Sequence, residues 1–474
     1  MARARMNFLT TEEVDLIHSQ SLRCLEELGI LIRSERVLRL LEDSGADVDY
    51  DKQLARISED MVADAVRKAP KEITLSARDP KHDLKIPVQG IPYASNSGLA
   101  TYMIDLDSDE RRNASRADLA DFARLVDAMD PVDFFWTPVV PMDVPDKSHA
   151  AHQLWTSLQN VTKHVQQIEV MDAEDAKTQI ALASLVAGGK EELRKRPLFS
   201  VVCSPVSPMS FEKCAAEAQV ELSKAGIPIV SMTMPMSGLT SPVTVGGTIN
   251  LTNTENLASL VISQTAAEGS PFIYSSAATP GDMRSGDANF SAVEVPFITA
   301  GLGQMADRYG IPRMIGDWGL GNGLKPGIDK SFSEVSSTAL DTFSGADLLC
   351  GLGSMDGAKG ISSVQMVIDT YTWENWRLFL RSVVIDEQAI AFDALRDVGH
   401  GGTFLSHPHT LKNFKTALAS RDATKLPWEA TLSDRMVPEA REIAKRILSE
   451  HKVDRLDPKI IQDGDALMRQ FEGR

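Results

Sequence analysis

Two glycine-rich loops carry isolated polar side chains whose types suit ligand binding or catalysis. They hold Asp282 and Arg284 in the first loop, and Asp317, Trp318 and Asn322 in the second. Each loop follows a short apolar run, GSPFIYSSA or IPRMIGDW, of the kind that forms a buried strand. Because the functional groups of a β/α barrel lie on loops at the carboxyl ends of its strands, the pattern predicts both the fold and the place of the site.

Arg284 stands between small residues in the sequence GDMRSG. A guanidinium in such a loop can bind a carboxylate or a phosphate through two parallel hydrogen bonds. It can equally hold its own loop together through a salt bridge, for example to Asp282 or Glu294. The sequence leaves both roles open.

The second loop reads GDWGLGNGLK, and its glycine spacing matches neither the dinucleotide fingerprint nor the phosphate-binding loop of nucleotide hydrolases. Its glycines instead favour a close approach of the backbone to a large or flat ligand. Trp318, at the end of a strand, could form one wall of a cage for a quaternary ammonium group. Packing in the core is the alternative for this tryptophan.

Three histidines lie close together in GHGGTFLSHPHT, namely His400, His407 and His409. On an extended segment His407 and His409 would face the same way, which suits a metal site. The proline between them marks a turn, however, and no set of cysteines or carboxylates lies nearby. We therefore expect no bound metal, and we place His400 in the pocket because it ends a predicted strand among glycines.

Short apolar strands alternate with helical stretches from residue 132 onward. Strands are predicted at 133–140, 164–170, 198–204, 228–234, 271–277, 312–318, 346–351 and 396–404, with helices at 115–129, 173–187, 210–226, 244–268, 292–309 and 329–345. Eight such repeats are typical of an α/β fold of the (β/α)8 TIM-barrel type. The predicted domains are 1–112, an N-terminal extension of helices and small strands, and 113–474, the barrel with C-terminal helices.

The composition of the chain argues against some classes of binding partner. The net charge of −17 argues against nucleic acid and against an anionic membrane surface, which both require basic patches. The four cysteines are scattered and predict reduced thiols in a cytoplasmic protein. The N-terminus lacks the apolar run of a signal peptide, and no GxSxG elbow is present, although a hydrolase with paired carboxylates stays open.

Several long motifs resemble the trimethylamine methyltransferase superfamily. They are RPLFSVVCSPVSPMSF, PIVSMTMPMSGLTSPVTVGGTINLTNTENLA, GDMRSG followed by Glu294, and GGTFLSHPHT, and the resemblance extends over nearly the whole chain. It implies a β/α barrel that moves a methyl group from a methylated amine to the Co(I) of cob(I)alamin. That corrinoid is carried by a separate small protein, so a corrinoid protein is the implied partner and no resident metal is implied.

The founding enzymes of this superfamily carry pyrrolysine in the loop after the sixth strand, whereas ordinary residues stand here near Leu320–Asn322. The branch that lacks pyrrolysine resembles the glycine betaine:corrinoid methyltransferases. The resemblance therefore implies a quaternary amine as substrate, with glycine betaine first and proline betaine, carnitine or butyrobetaine as alternatives. A metal-dependent barrel lyase or hydrolase, or a protein that only binds betaine, are the competing hypotheses from other classes.

The resemblance together with the loop positions gives a set of expected site residues. For the ammonium group they are Trp318, Asp317, Tyr93 and Tyr102, and for a substrate carboxylate they are Arg284, His400 and Asn322. For close approach of the corrinoid they are Gly319, Gly321, Gly353 and Gly357. The oligomeric state is left open, and a homo-oligomer is compatible with the sequence.

Overall fold

Eight short parallel strands form the centre of the structure, which is a computed structural model describing residues 4–88, 90–98, 100–317, 323–327, 332–418 and 435–473. The side chains of residues 317, 332–335 and 337 are outside this description. The strands are β1 Tyr93–Asn96, β2 Phe135–Trp136, β3 Val165–Gln167, β4 Phe199–Val202, β5 Ile229–Thr233, β6 Phe272–Ser276, β7 Arg313–Asp317 and β8 Leu348–Leu352.

The strands pair in sequence order around a barrel. From β2 to β8 each strand is hydrogen-bonded to the next, and β1 pairs with β8, with Tyr93 opposite Leu348. The remaining edge, beside β1 and β2, is joined by two isolated parallel bridges, Ser95 to Phe134 and Ala100 to Val139. The predicted (β/α)8 barrel with its N-terminal extension and C-terminal helices is therefore confirmed.

One predicted strand is wrong. Residues 396–404 contain the end of the helix Phe392–Val398 followed by a turn at Gly399, where φ is +65°. The missing barrel strand is β1, which lies in the region predicted only as small strands. The sequence of β1, YASN, is too polar to be recognised as a buried strand. In the structure, the side-chain amide of Asn96 donates a hydrogen bond of 2.6 Å to the Trp136 carbonyl.

Eight helices follow the eight strands and cover the outside of the barrel. They are α1 Arg116–Asp127, α2 His149–Asn160, α3 Ala173–Ala187, α4 Lys213–Ala225, α5 Val245–Ala266, α6 Val295–Tyr309, α7 Phe332–Asp341 and α8 Ser363–Trp376. Side-chain caps start several of them, such as Ser115 with its capping box to Asp118 and Asp172 before α3. These local signals explain why the helix positions were predictable.

The barrel is closed at the amino ends of its strands. A two-stranded hairpin, Ile73–Leu75 with Leu84–Ile86, packs its apolar side chains against the inward-facing residues of the strands. His164, directly before β3, is fully buried there, and its ring nitrogens contact the Ser76 carbonyl at 2.8 Å and the Ser200 hydroxyl at 3.0 Å. This plug leaves the carboxyl ends of the strands as the open end of the barrel, which we call the mouth.

The N-terminal extension packs beside the barrel. Its elements are the helices Thr11–Arg23, Glu35–Glu42 and Glu59–Lys68, the π-helical turn Cys24–Leu28, and the strands Ile30–Ile32, Asp47–Asp49 and Leu54–Arg56. Thr10 and Glu13 form a capping box at the start of the first of these helices. Strand Ile30–Ile32 pairs with Ser210–Phe211, which belongs to the loop after β4, so the extension supports a loop of the mouth. The domain boundary at residue 112 stays a prediction.

A small sheet spans the mouth above β1 and β8. Its strands, in order, are Ser354–Met355, Gly360–Ser362, Tyr102–Ile104 and Arg111–Arg112. Loops after β5 and β6 also pair, through Met236–Ser237 and Thr279–Pro280. The mouth loops are thus hydrogen-bonded to each other as well as to the barrel.

The remaining helices lie on the periphery or C-terminal to the barrel. They are Lys190–Lys195, the 3₁₀ turns Pro80–His82, Asp146–Ser148, Thr342–Ser344 and Arg377–Leu380, and the helices Glu387–Ile390, Phe392–Val398, Pro408–Ala417, Met436–Glu450 and Pro458–Glu472. The last helix docks on α2, where the Trp155 indole N–H donates to Asp465 at 2.9 Å and His152 contacts Glu472 at 2.7 Å. Within the described ranges, we find no helix long and apolar enough to cross a membrane.

Replacing Gly464 by alanine is expected to weaken the docking of the last helix. A Cβ at this position would lie 2.2 Å from Cζ2 of Trp155, so the ring or the helix would have to move. Overpacking of this kind costs about 1–3 kcal/mol of the free energy of unfolding, which urea denaturation would measure. The matched control is Gly246→Ala, a helical glycine with nothing within 4 Å. Equal losses in the two variants would contradict the packing assigned to Gly464.

Candidate active site

A cavity of about 130 Å³ opens at the mouth of the barrel. Its walls come from residues at or just beyond the carboxyl ends of the strands, together with helices α6 and α7. Its lining includes Ser97, Gly98, Trp136, Ile168, Val202, Ser204, Met232, Met234, Ser276, Ala277, Phe290, Thr299, Leu302, Met314, Gly316, Asp341 and Cys350. This is the position at which enzymes with this architecture place their chemistry.

The part of the cavity nearest the barrel axis is apolar. It is lined by the inward-facing residues Trp136, Ile168, Val202, Met232 and Met314, all of which belong to the barrel-interior cluster. Strand periodicity places them there, because alternate residues of each strand face the axis. The arrangement suits methyl groups or a weakly hydrated cation better than a strongly hydrated ligand.

Two aromatic rings border the cavity, one from Trp136 and one from Phe290. The indole of Trp136 is only 5% exposed and lies against Gly98, where a Cβ would approach Cε2 of the ring to 2.6 Å. Position 98 therefore requires glycine for the indole to keep this place. An aromatic ring fixed at a cavity wall can interact with a cation through its face.

The carboxyl group of Asp341 is part of the cavity wall. Asp341 ends α7, is 1% exposed, and lies beside Gly316 at an irregularity in the pairing of β7 with β8. A Cβ at Gly316 would come within 3.3 Å of its Oδ2. Asp341 also lies at the carboxyl end of a helix, where the helix dipole is negative.

No lysine, arginine or histidine is among the described residues that line the cavity. Asp341 is the one acidic residue among the described residues that line it. Two of its hydroxyl groups already donate to backbone carbonyls, Ser97 to Gly98 and Ser276 to Thr233, both at 3.2 Å. Half-buried Cys350, which is in no disulfide, contributes its thiol to the wall.

The two tyrosines predicted to bind the ammonium group, Tyr93 and Tyr102, lie outside the cavity. Tyr93 begins β1 and packs with the residues around the hairpin plug, at the closed end of the barrel. Tyr102 lies in the small sheet of the mouth, where its ring is stacked under Arg111 and its hydroxyl contacts Asp356 at 3.2 Å. Neither residue lines the cavity.

Arg284 and His400 are both on the surface. The Arg284 side chain is 95% exposed on the loop after β6, with its nearest carboxylate, Asp282, at 3.9 Å. His400 is exposed in a turn after the helix Phe392–Val398. The structure therefore places only Arg284 at the mouth, and it brings neither residue into the cavity.

In the sequence, the remaining predicted residues lie at or after the end of β7 and in the loop after β8. Asp317 ends β7 directly after Gly316, but its side chain is not described, and Trp318, Gly319, Gly321 and Asn322 lie outside the described residues. Gly353 donates its N–H to Asp369 at 2.9 Å and has a φ of +81°. Gly357 turns the chain next to Ala358, which lines the cavity. The roles assigned to these glycines stay predictions.

The sequence reasoning missed Trp136, Phe290 and Asp341. Trp136 is the last residue of β2, inside the apolar run FFWTPVV, and its position at a strand end was the available signal. Asp341 ends a helix and would have been taken for an ordinary surface acid. Its burial depends on how α7 packs behind β7, which local sequence does not encode.

The loop after β4 is held by a buried acid. Glu255 on α5 is fully buried and accepts hydrogen bonds from the Met209 N–H and the Ser207 hydroxyl, each at 2.9 Å. Burial raises the pKa of Glu255 to about 7. The protonation of this residue is thus linked to a loop that contributes Ser204 to the cavity.

Exposed apolar side chains surround the cavity on the loops of the mouth. We call them the rim: Met142, Met171, Val206, Met234, Leu239, Val243, Met283, Val293 and Leu324. They follow β2, β3, β4, β5, β6 and β7, so they encircle most of the opening. Exposed apolar residues gathered around a pocket are typical of an interaction surface, and methionines suit a partner that repeatedly binds and leaves.

The histidine cluster does not form a metal site in the part of the chain that the structure describes. The Nδ1 atom of His407 accepts the backbone N–H of His409 at 3.1 Å and so caps the helix Pro408–Ala417. No group of three or more histidine, cysteine or acidic side chains with the arrangement of a metal site occurs among the described residues. His407 is thus engaged as a helix cap.

Comparison with known proteins identifies the family. Residues 2–470 match the family model described as "Trimethylamine methyltransferase (MTTB)". The trimethylamine methyltransferase MttB of Desulfitobacterium hafniense (strain DSM 10664 / DCB-2) is 30% identical over 97% of this chain and 93% of the relative. The glycine betaine methyltransferase of D. hafniense (strain Y51) is 26% identical over 98% of this chain and 96% of the relative. The resemblance seen in the sequence motifs is therefore confirmed.

A solved structure supports the fold. The monomethylamine methyltransferase MtmB of Methanosarcina barkeri matches with a TM-score of 0.54 at 13% identity, over 94% of this chain and 89% of that chain. At this identity the match shows the barrel architecture alone. It agrees with the closed ring of eight strands described above.

The raised pKa of Glu255 predicts a pH-dependent stability. Because its folded-state pKa is near 7 and the pKa of an unfolded glutamate is about 4.5, the folded state binds the proton more tightly. The free energy of unfolding should therefore fall as pH rises from about 4.5 through 7. Glu255→Gln should remove this contribution, on the order of 3 kcal/mol at most. Urea denaturation at pH 5 and pH 8 measures it, and the same pH dependence in variant and wild type would contradict the assignment.

Proposed function

Because the chain belongs to the trimethylamine methyltransferase family and is a methyltransferase, we propose that it transfers a methyl group from a quaternary amine to cob(I)alamin. Glycine betaine is the first candidate substrate, and dimethylglycine would be the product. The acceptor would be carried by a separate corrinoid protein that docks at the mouth. Transfer from proline betaine, carnitine or butyrobetaine is the alternative within the same reaction.

The observation that carries the proposal is the character of the cavity. It combines an apolar floor, two aromatic walls and the buried carboxylate of Asp341, and no basic side chain is among its described lining residues. A quaternary ammonium is a weakly hydrated cation with an apolar surface, so it gains from both the aromatic faces and the negative charge. A strongly hydrated anion would find no compensating charge among those residues.

In this reaction the main task of the protein is to position the substrate. The bond between nitrogen and the methyl carbon breaks, its electron pair stays on nitrogen, and the product is a neutral tertiary amine. No general acid is needed, because the leaving group is already a good one. The nucleophilic electron pair comes from cob(I)alamin, and the walls of the cavity orient one N-methyl group towards the mouth and exclude water.

The rim is the proposed docking surface for the corrinoid protein. Its exposed apolar residues surround the opening through which the methyl group has to leave the cavity. A corrinoid protein must bind, accept the methyl group and depart in each turnover, so a modest apolar surface suits it better than a permanent interface. Val243 and Met283, both highly exposed, are central candidates for contact.

The carboxylate of a betaine would point away from Asp341, towards the mouth. Of the residues predicted to bind it, Arg284 has a suitable place, since it lies on the loop after β6. Closure of that loop over a bound substrate would bring the guanidinium nearer. Asp317, Trp318 and Asn322 stay predictions for the same region, and so does the cytoplasmic location.

Asp341→Asn is expected to weaken binding of glycine betaine about 10- to 100-fold, because it removes the charge next to the ammonium while keeping the shape of the side chain. Isothermal titration would give the dissociation constant. The matched control is Asp287→Asn, which makes the same change on an exposed residue of the loop after β6. Equal affinities of wild type and the Asp341 variant would remove Asp341 from the site.

Cys350 offers a test that needs no corrinoid protein. Because its thiol lines the cavity, bound glycine betaine should slow its alkylation by iodoacetamide several-fold. Peptide mass spectrometry would follow Cys350 and, as an internal control, the exposed Cys214. Protection of both cysteines, or of neither, would contradict binding of betaine in this cavity.

A further inference from the structure

The junction of β1 with β2, which we call the seam, has an interrupted backbone ladder. Isolated parallel bridges join the β2 segment to that of β1 at Phe134 and at Val139. Trp136 lies between these two positions. The residues on either side of Trp136 donate their N–H groups to carbonyls of the β3 segment. Because the hydrogen-bonding groups of a strand alternate in direction, the N–H and carbonyl of Trp136 face β1.

The side chain of Asn96 binds both of these backbone groups. Its Nδ2 donates to the Trp136 carbonyl at 2.6 Å, and its Oδ1 accepts the Trp136 N–H at 3.1 Å. Nδ2 also donates to the Ser97 carbonyl at 2.9 Å, so both donor hydrogens of the amide are used. Asn96 is fully buried, where an unmade hydrogen bond is costly. The amide therefore fixes the main chain of Trp136 relative to β1.

The position of the indole depends on that main chain. Its Nε1 is buried and has no hydrogen-bond partner in the part of the chain that the structure describes. Gly98 packs against the ring, and the three atoms nearest to a Cβ at this position all belong to the indole of Trp136. The ring is thus held by its backbone on the seam and by contact with Gly98, without a hydrogen bond of its own.

We propose that Asn96 is a positioning residue for recognition of the substrate's ammonium group. It holds the main chain of Trp136 and so keeps the indole at the cavity wall, where the face of the ring attracts a quaternary ammonium. Asn96 does not itself line the cavity, so it acts through Trp136. This inference rests on the proposed function and deepens it by naming what fixes the aromatic wall.

The two aromatic walls differ in how firmly the fold holds them. Trp136 ends a barrel strand, whereas Phe290 lies in the loop between β6 and α6. A binding group on a strand is held more precisely than one on a loop. The inference therefore assigns recognition of the ammonium to Trp136 first, with Asn96 as the residue that sets its place.

Asn96→Asp is the variant that separates position from shape. It keeps the size of the side chain and the acceptor for the Trp136 N–H, but it removes both donor hydrogens. A carboxyl oxygen would then stand where Nδ2 lies 2.6 Å from the Trp136 carbonyl oxygen. Two acceptors at that distance repel each other, so the main chain of Trp136 has to move, and the indole moves with it.

Fluorine NMR of the full chain labelled with fluorotryptophan tests the proposal. The chain has six tryptophans, and a Trp136→Phe variant assigns the Trp136 signal. Without ligand at pH 8, Asn96→Asp should shift or broaden that signal and leave the other tryptophan signals in place. Glycine betaine should shift the Trp136 signal of the wild type. Its dissociation constant from isothermal titration should rise about 10-fold in Asn96→Asp.

Asn160→Asp is the matched control. Nδ2 of Asn160 donates to the Thr156 carbonyl at 2.8 Å at the end of α2, and the residue does not line the cavity. This variant should change neither the Trp136 signal nor the affinity for betaine. Gly98→Ala is a second variant that leaves Asn96 intact. Its Cβ would lie 2.6 Å from Cε2 of the indole, so it should displace the ring and weaken binding to a similar extent.

The outcomes distinguish this inference from the proposed function. If the wild type binds betaine, an unchanged Trp136 signal or an unchanged affinity in Asn96→Asp would overturn the role of Asn96 and leave the proposed function in place. An equal loss of affinity in Asn160→Asp would overturn it too. If Asn96→Asp does not fold, Gly98→Ala decides, and wild-type affinity in that variant counts against the inference. A wild type that binds no quaternary amine would contradict the proposed function itself, and the inference with it.

Discussion

Closure of the barrel by β1 is the constraint on which the site depends. This strand of four residues pairs with β8 on one side, and two isolated parallel bridges join its segment to that of β2 on the other. Every loop that lines the cavity follows a strand of this closed ring, so the relative positions of the loops are set by the backbone hydrogen bonds of the ring. The small sheet above β1 and β8 adds a second closure at the mouth, where Gly360 pairs with Tyr102.

The electrostatics of the cavity follow from the same closure. A plug of apolar residues fills the other end of the barrel, and apolar strand residues line the floor, so the carboxyl group of Asp341 lies in largely apolar surroundings. In such a place a single charge has a stronger effect than on the surface. The sharp turn of β7 at Gly316 brings the strand against Asp341 and links the negative charge to the barrel itself.

Much of the fold could be predicted from the sequence, because seven of the strands are short apolar runs and several helices begin with recognisable caps. The strand β1 could not, since YASN is polar and its place in the barrel depends on contacts distant in sequence, such as that of Asn96 with Trp136. The residues of the site were harder to predict from the sequence than the fold. Loop position put Arg284 at the mouth correctly, but the direction of its side chain, and the burial of Asp341 behind β7, depend on tertiary packing.

The most direct test of the central claim is methyl transfer to free cob(I)alamin, followed by the absorbance change on formation of methylcob(III)alamin. The panel would contain trimethylamine, glycine betaine, proline betaine, carnitine and choline. The account predicts turnover with a betaine, first of all glycine betaine, and none with trimethylamine. Turnover with trimethylamine alone, or binding of betaine without any methyl transfer even when the corrinoid protein is supplied, would contradict it.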